Sequence, residues 1–315
     1  MSTLNPVAKI SDLPENSKFR PGHRLCAGCG PAITAKIITL AVPEAVIVNA
    51  TGCVEVGTTI YPYSAWKTPW VHVLFQNNAP VASGIVAALE KLSAEGRAKK
   101  IPVIALGGDG STFDIGLGAI SGALERLDKF VYICYDNCAY MNTGIQRSSA
   151  SILGAATTTS PAGKVIPGKQ ENKKDLIGIV ASHHIPYAAT ATLWLWRDMI
   201  NKIRKAVNYS EQGPAFLHIL APCQFGWRFE PHLTVKISRM AVETRLFPIY
   251  EVEDGQLKIN FRVTAPKPVE EYLKIQRMMR HLLEPKNAET LQRLKAWAEW
   301  NWQRLENLEK AGRVF

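Results

Sequence analysis

The sequence predicts an α/β protein with a mainly parallel sheet, helices on both faces and a C-terminal helical extension. Three observations support this class. Buried-strand patterns alternate with helical patterns along the first 220 residues or so, as in parallel sheets. Two of the strands end in turns that carry Gly, Asp and Asn, where such sheets usually bind ligands. The last part of the chain, residues 269–311, has a helical pattern.

Strands and helices are expected in the following order. After an N-terminal arm at 1–20, which we expect to lie on a neighbour or to fray, Pro31 begins the first helix. The α/β domain covers 21–223, and 224–315 form a C-terminal excursion with a hairpin near Asp254 and then the helical extension. Irregular loops are expected at 54–78, lining a pocket, and at 146–169, folded over a site. The predicted strands are 45–49, 103–106, 130–135, 187–191 and 215–220, and the predicted helices are 31–40, 81–92, 175–182 and 196–207.

The composition of the chain argues against several classes of function. Of the 315 residues, 47% are hydrophobic, but no apolar run approaches the roughly 20 residues needed to span a bilayer. The first residues lack the basic and apolar regions of a secretory signal, so we expect a cytoplasmic location and no membrane contact. The net charge of +10 is scattered along the chain, which argues against nucleic acid. It favours either acidic partners or ordinary solvated helix faces.

A glycine-rich turn and a later asparagine form the central motif. Gly108-Asp109-Gly110-Ser111 follows the strand at 103–106, and Asn137 follows the strand at 130–135. Asp109 and Asn137 offer hard oxygen ligands at the end of the sheet where a pyrophosphate and its magnesium would bind. Gly-Asp-Gly followed by Asn after roughly 25 to 30 residues is typical of thiamine diphosphate sites. Two ordinary turns are the alternative.

Four of the six cysteines are candidate metal ligands. Cys26, Cys29, Cys53 and Cys223 lie at strand or helix ends, whereas Cys134 lies inside a strand. Cys138 belongs to what we call the cofactor turn, the two turns that carry Asp109 and Asn137 after the strands at 103–106 and 130–135. A C-x-x-C pair with two remote cysteines suits a 4Fe-4S cluster or a zinc ion, and spacing alone does not separate them. Thiamine-dependent decarboxylation of a 2-oxo acid generates a strong reductant, so a neighbouring cluster that accepts its electrons is favoured.

Family-specific motifs occur across nearly the whole chain. They are His23-Arg24-Leu25-Cys26, Cys29-Gly30, Ala50-Thr51-Gly52-Cys53, Ile60-Tyr61-Pro62-Tyr63, Gly107 to Gly116, Tyr140-Met141-Asn142-Thr143-Gly144, Pro222-Cys223 and Lys267-Pro268-Val269-Glu270-Glu271-Tyr272. In these motifs the chain resembles the β subunits of multi-subunit pyruvate:ferredoxin oxidoreductases, within the 2-oxoacid:ferredoxin oxidoreductase family. The resemblance implies a thiamine diphosphate-binding fold and an enzyme that passes electrons to ferredoxin.

The resemblance also implies roles for individual residues. The four cysteines would bind the 4Fe-4S cluster nearest the thiamine, and Asn142 and Thr143 would face the reacting centre. An α subunit would supply the glutamate that activates the cofactor. A ferredoxin-like subunit with further clusters and external ferredoxin would accept electrons. Magnesium would be held by Asp109, Asn137 and the Ala139 carbonyl, and the cofactor would contact Gly52, Glu55, Gly108, Asp109, Gly110, Ser111, Asn137 and Ala139.

Two departures from the family pattern bear on the substrate. Gln76 and Cys138 each stand where the family has Glu, and Asn78 adds an amide where it has a small apolar residue. A less negative pocket rich in hydrogen-bond donors would suit oxalate, which needs no coenzyme A. We therefore narrowly predict oxalate, with coenzyme A-dependent oxidation of pyruvate as the alternative. A non-redox thiamine-dependent decarboxylase and a zinc-stabilised scaffold are two further alternatives.

Overall fold

A computed structural model describes residues 3–314 of the chain. Their centre is an eight-stranded mixed sheet in the order β2-β1-β3-β4-β6-β5-β7-β8. The first six strands run parallel to one another, and the last two add an antiparallel hairpin at one edge. The strands are β1 (Val46–Ala50), β2 (Trp70–Val73), β3 (Val103–Gly108), β4 (Val131–Asp136), β5 (Tyr187–Thr192), β6 (Ala215–Leu220), β7 (Ile249–Glu253) and β8 (Gln256–Phe261).

Helices cover both faces of the sheet, as predicted. All six residues of β4 are buried, and its side chains alternate between two hydrophobic cores: Tyr132 and Cys134 enter one, Val131 and Ile133 the other. A strand buried on both faces is expected where helices pack on either side. The helices are α1 (Gly30–Ala41), α2 (Cys53–Thr58), α3 (Asn78–Ala94), α4 (Leu117–Glu125), α5 (Leu176–Ala181), α6 (Trp196–Tyr209), α7 (Gln224–Trp227), α8 (Thr234–Glu243), α9 (Val269–Lys274) and α10 (Ala288–Ala311).

The segment at 54–78 is more regular than predicted. It contains most of α2 and the short strand β2, which pairs with β1 at the sheet edge. The side chains of β2 are only partly buried or exposed. Because this strand buries little, its sequence carries no clear alternation, and its pairing depends on β1 rather than on a local pattern.

The described part of the N-terminal arm packs on α6 of the same chain. The Asn208 side chain accepts a hydrogen bond from the Leu4 N–H (2.9 Å) and donates one to the Leu4 carbonyl (3.0 Å). Asn201 accepts from the Val7 N–H at 2.7 Å. Both amides project from α6, so this helix binds the arm through its backbone. Residues 1 and 2 lie outside the described residues.

The chain after residue 223 extends the same sheet. The predicted hairpin forms between β7 and β8, with a turn at Asp254 and Gly255, and β7 pairs with β5. The long helix α10 packs along β8, where Glu309 accepts a hydrogen bond from the Ile259 N–H at 2.9 Å. The division of the chain at 223 stays a prediction, and Phe315 of the extension lies outside the described residues. Among residues 3–314, no helix is long and apolar enough to cross a membrane.

Candidate cofactor cleft and cysteine cavity

The carboxyl ends of β1, β3 and β4 meet at one edge of the sheet. The chain leaves β1 toward β2 on one side and β3 toward β4 on the other, so a crevice opens between them, the usual ligand position in such sheets. This cofactor cleft brings together most of the residues predicted to bind the cofactor. It is lined by Thr51, Gly52, Cys53, Phe75, Gly108, Asp109, Gly110, Ser111, Tyr135, Asn137, Ala139, Tyr140, Met141, Asn142 and Thr143.

Three oxygen atoms converge at the floor of the cleft. One end of the Asn137 amide lies 2.8 Å from the Ala139 carbonyl oxygen and 2.9 Å from the Asp109 carboxylate. In the structure this end is the amide oxygen, which faces only acceptors; turning the amide would bring its NH₂ there instead. A carboxylate, an amide oxygen and a backbone carbonyl around one point are ligands that Mg²⁺ accepts. These residues therefore fit a magnesium ion.

Asp109 is held in place by two hydrogen bonds within the protein. It is 1% exposed, and its carboxylate accepts from the Ser148 hydroxyl at 2.5 Å and from the Asn137 N–H at 3.4 Å. Burial, followed by the nearby Asp136 carboxylate, raises the pKa of Asp109 well above its usual value. A cation in the cleft would offset this cost of a buried charge. Ser148 belongs to the loop predicted to fold over the site.

A network of buried charged residues packs against the cofactor turn and stabilises it. Asp136 is fully buried, pairs with Lys173 and accepts a hydrogen bond from His218 Nε2 at 2.7 Å. Burial alone would raise the pKa of Asp136, but Lys173 and His218 outweigh this and hold the pKa below its usual value. Its other oxygen accepts from the Cys138 N–H at 2.8 Å. That bond holds Cys138 in the left-handed conformation, at φ 66°, which places the Ala139 carbonyl.

The four candidate cysteine ligands line a second cavity, which we call the cysteine cavity. Its volume is about 280 Å³, and its wall includes Cys26, Cys29, Cys53 and Cys223. Within residues 3–314, no three His, Cys, Asp or Glu side chains converge as ligands of a single ion. The four thiols are instead distributed around the cavity. Cys134, as predicted, is fully buried in the core.

The segments that carry these cysteines pack closely on one another. The Gly30 N–H donates to the Pro222 carbonyl at 3.1 Å, which joins the first cysteine pair to the segment of Cys223. A Cβ atom on Gly30 would lie 2.5 Å from that carbonyl oxygen, and one on Gly28 would overlap the Pro231 backbone. Glycine is therefore required at both positions for the approach of the two segments.

Burial favours the neutral form of three of the four thiols. Burial raises the pKa of Cys29 and of Cys53 to about 12, and burial also raises the pKa of Cys223. Because metal centres bind thiolates, loading this cavity must release protons from the cysteines.

The cofactor cleft and the cysteine cavity share a wall. Cys53, Asn137 and Asn142 line both. Of the two residues predicted to face the reacting centre, Asn142 thus lies between the two spaces. Thr143 lies at the exposed rim of the cleft, where its hydroxyl donates to the Gln146 side chain at 2.6 Å.

Two sets of predicted residues lie elsewhere. Glu55 does not line the cleft: its carboxylate accepts from the Thr59 hydroxyl at 3.2 Å and lies 3.6 Å from His72. The residues behind the oxalate prediction also miss the cleft. Cys138 is buried in the hydrophobic core, Gln76 is exposed, and the Asn78 amide is buried and donates to the Tyr132 hydroxyl at 2.9 Å. These three side chains therefore do not set the polarity of the cleft.

A match to a protein-family model assigns the class of enzyme. Residues 50–219 match the family model described as the thiamine pyrophosphate enzyme C-terminal TPP binding domain. This segment runs from the end of β1 to the end of β6 and contains the whole cofactor turn. Together with the parallel sheet and its cleft, the match defines a thiamine pyrophosphate-binding enzyme.

Relatives specify the family. The chain is 50% identical over 279 residues to the pyruvate synthase subunit PorB of Methanocaldococcus jannaschii, covering 87% of this chain and 93% of the relative. It is 40% identical to the ketoisovalerate oxidoreductase subunit VorB of Pyrococcus furiosus, covering 98% of each. A solved 2-oxoglutarate:ferredoxin oxidoreductase from Magnetococcus marinus shares the fold, with a TM-score of 0.52 and 19% identity over 75% of this chain and 84% of that one. The chain belongs to the β subunits of the 2-oxoacid:ferredoxin oxidoreductases. The pyruvate alternative is thus better supported than oxalate, for which these comparisons offer no support.

Proposed function

We propose that the chain is the β subunit of a pyruvate:ferredoxin oxidoreductase. It would hold thiamine diphosphate through magnesium in the cofactor cleft and a 4Fe-4S cluster in the cysteine cavity. The observation that carries this proposal is the shared wall of Cys53, Asn137 and Asn142. A group that generates electrons and a group that accepts them would then lie on the two sides of single side chains.

Each part of the site has a distinct role in this proposal. Thiamine diphosphate supplies the nucleophile that attacks and decarboxylates the 2-oxo acid. Asp109, Asn137 and the Ala139 carbonyl bind the magnesium, and Gly108, Gly110 and Ser111 border the pyrophosphate. Asn142 orients the substrate from the shared wall. Residues of the buried network keep the turn rigid, so that the ligands need little reorganisation on binding.

The arrangement of the thiols supports a cluster over a single zinc ion. Zinc binds four sulfurs at about 2.3 Å from one point, whereas here the cysteines surround a cavity of about 280 Å³. The cysteines also come from three separate segments, which a cubane cluster can bridge. Cys26 is exposed, which gives electrons an exit toward a ferredoxin-like partner.

Partner subunits complete the enzyme in this proposal. The relatives are named as subunits, and large side chains next in sequence to residues of the two sites are exposed: Tyr61 at 95%, which follows Ile60 of the cysteine cavity, and Leu74 at 61%, which precedes Phe75 of the cleft. An α subunit covering this surface would supply the glutamate that activates the cofactor. A ferredoxin-like subunit and external ferredoxin would carry electrons away.

The substrate assignment rests on the relatives. Several relatives 43–50% identical to the chain are pyruvate synthase subunits, while the ketoisovalerate relative at 40% makes a branched 2-oxo acid the second candidate. The decisive assay uses the complex purified anaerobically with its partner subunits. Pyruvate should reduce a viologen dye only when coenzyme A is added, faster than 2-oxoisovalerate does. Oxalate-dependent reduction without coenzyme A, and none with pyruvate, would refute the assignment.

A further inference from the structure

Trp227 lies between the cysteine cavity and the cofactor turn. Its side chain is 1% exposed, and its indole Nε1–H donates to the Asn137 carbonyl at 2.7 Å. Its backbone N–H donates to the Cys223 carbonyl at 2.9 Å. One residue therefore binds the backbone of a proposed cluster ligand and the backbone of a proposed magnesium ligand.

Hydrogen bonds at both ends of the short helix α7 restrict its movement. At one end, the Cys223 thiol accepts a hydrogen bond from the Gly226 N–H at 3.3 Å. At the other end, the Trp227 carbonyl accepts hydrogen bonds from the N–H groups of Arg277 (2.8 Å) and Met278 (3.2 Å). A movement of Cys223 is therefore passed to Trp227 rather than absorbed within the helix.

Asn137 is hydrogen-bonded to Trp227 on one side and lines the cofactor cleft on the other. Its backbone N–H donates to Asp109 at 3.4 Å, and its carbonyl accepts from Trp227. Without the indole N–H, the carbonyl would remain buried with its acceptor unsatisfied, and the Asn137 peptide could turn. The amide oxygen would then leave the position at which three oxygens converge.

We propose that Trp227 is a positioning residue that couples the two sites. A cluster bound to Cys223 fixes α7, and the indole N–H then fixes the peptide that carries the magnesium ligand. Because coupling between sites is reciprocal, each bound group raises the affinity for the other. The inference rests on the proposed function, since it requires both groups to bind in the two spaces described.

The test compares two buried tryptophans. Trp227→Phe removes the bond to Asn137, whereas Trp302→Phe removes an equally buried indole (2% exposed) whose N–H has no partner within the described residues. Calorimetric titration of the anaerobic complex, stripped of cofactor and metal, should give about tenfold weaker binding of thiamine diphosphate with Mg²⁺ for Trp227→Phe. The Trp302→Phe complex should bind like wild type. Equal loss in both variants, or loss in neither, would overturn the proposal.

A second comparison isolates the coupling. Wild-type complex with its cluster removed should bind thiamine diphosphate with Mg²⁺ about tenfold more weakly than cluster-loaded complex. In Trp227→Phe, cluster removal should have little further effect on this affinity, since the hydrogen bond that connects the two sites is already absent. An effect of full size in the variant would show that the cluster acts through the shared wall instead, and would refute the role of Trp227.

Spectroscopy supplies a readout that is independent of turnover. Adding thiamine diphosphate with Mg²⁺ should change the electron paramagnetic resonance spectrum of the reduced cluster in wild type and in Trp302→Phe, but not in Trp227→Phe. If Trp227→Phe fails to assemble, the wild-type affinities with and without the cluster decide, and equal values overturn the coupling. A wild-type complex that binds neither group refutes the proposed function; one that binds both without coupling refutes this inference alone.

Discussion

The cofactor turn and the cysteine cavity lie side by side at the same sheet edge, yet they are built differently. The turn is closed: Asp109, Asp136 and Asn137 are buried, and buried side chains hold their oxygens and peptides. The cavity is walled by thiols from three segments, and its first cysteine is exposed. The turn contains buried carboxylates, whereas burial keeps most of the thiols of the cavity neutral.

This difference indicates which site depends on its bound group. The protein itself fixes the turn, at the cost of burying two carboxylates near one another, which Lys173 and His218 offset in part. Within residues 3–314, no comparable network of charges surrounds the cavity, so under the proposed function its final geometry would come from the cluster. Replacing one cysteine of the cavity should therefore release the bound group. Replacing a residue of the turn should impair both cofactor binding and folding.

The largest effect is expected in the cavity. Replacing any one of Cys26, Cys29, Cys53 or Cys223 by Ser should remove most of the iron and sulfide, because each thiolate bridges the cluster to a different part of the wall. Chemical analysis and visible absorbance of the anaerobic complex measure this. Cys134→Ala is the control and should keep its iron. Full iron content in the Cys53 variant would contradict the ligand set.

The next effect is expected in the turn. Asp109→Asn removes the only carboxylate among the three converging oxygens, so thiamine diphosphate with Mg²⁺ should bind at least about a hundredfold more weakly. Calorimetric titration measures the affinity. Asp114→Asn is the matched control, because Asp114 lies in the following helical turn but outside the residues that line the cleft. Similar affinities for the two variants would refute magnesium binding at Asp109.

A third prediction tests the fold of the turn itself. Lys173→Met leaves Asp136 buried beside only a neutral His218, and should lower the free energy of unfolding by about 3 kcal/mol. Lys99→Met breaks an exposed ion pair with Glu44 and should cost under about 1 kcal/mol. Urea denaturation of the full chain compares them. If both variants lose equally little, the turn does not depend on its buried charges.

The smallest effect concerns the loop over the turn. Lys169 is buried there, donates to the Ser151 carbonyl at 2.6 Å, and burial lowers its pKa to about 8. The unfolded chain keeps this proton until about pH 10.4. As pH rises from about 7.5 to about 10, the folded state releases the proton first, so stability should rise relative to Lys169→Met, by about 2 kcal/mol. A stability difference between wild type and variant that stays constant from pH 7.5 to 10 would contradict this.

How far the sequence predicted the molecule depended on the range of the interactions. The central strands and the Gly-Asp-Gly turn are local patterns of apolar runs and turn residues, and the structure contains them within one or two residues of the predicted bounds. The four predicted cysteines line one cavity because the strand and helix ends that carry them meet at one edge of the sheet; their role as ligands stays a prediction. Strand β2 was missed, since its pairing depends on β1 and its own burial is slight. The contacts of the arm with Asn201 and Asn208 join residues 194 and 204 positions apart, so no local pattern indicated them.

The residues that support the site were also beyond sequence reasoning. Trp227 and His218 contact the cofactor turn from 90 and 82 residues away, and in sequence they look like ordinary core residues. The oxalate prediction, which the comparisons do not support, relied on residues that are close to the site only in sequence. Gln76, Asn78 and Cys138 are near the cleft in sequence, but the first faces solvent and the other two are buried away from it, and a pattern of residue types does not give side-chain direction.

The two edges of the sheet have different consequences for producing the protein. Helix α10 covers β8, so that edge is closed by the chain itself. The other edge is the short strand β2, which is followed directly by the exposed Leu74. Uncovered strand edges with apolar neighbours pair readily with other chains. Expression of the chain by itself is therefore expected to give more aggregated material than co-expression with the α subunit proposed to cover this surface.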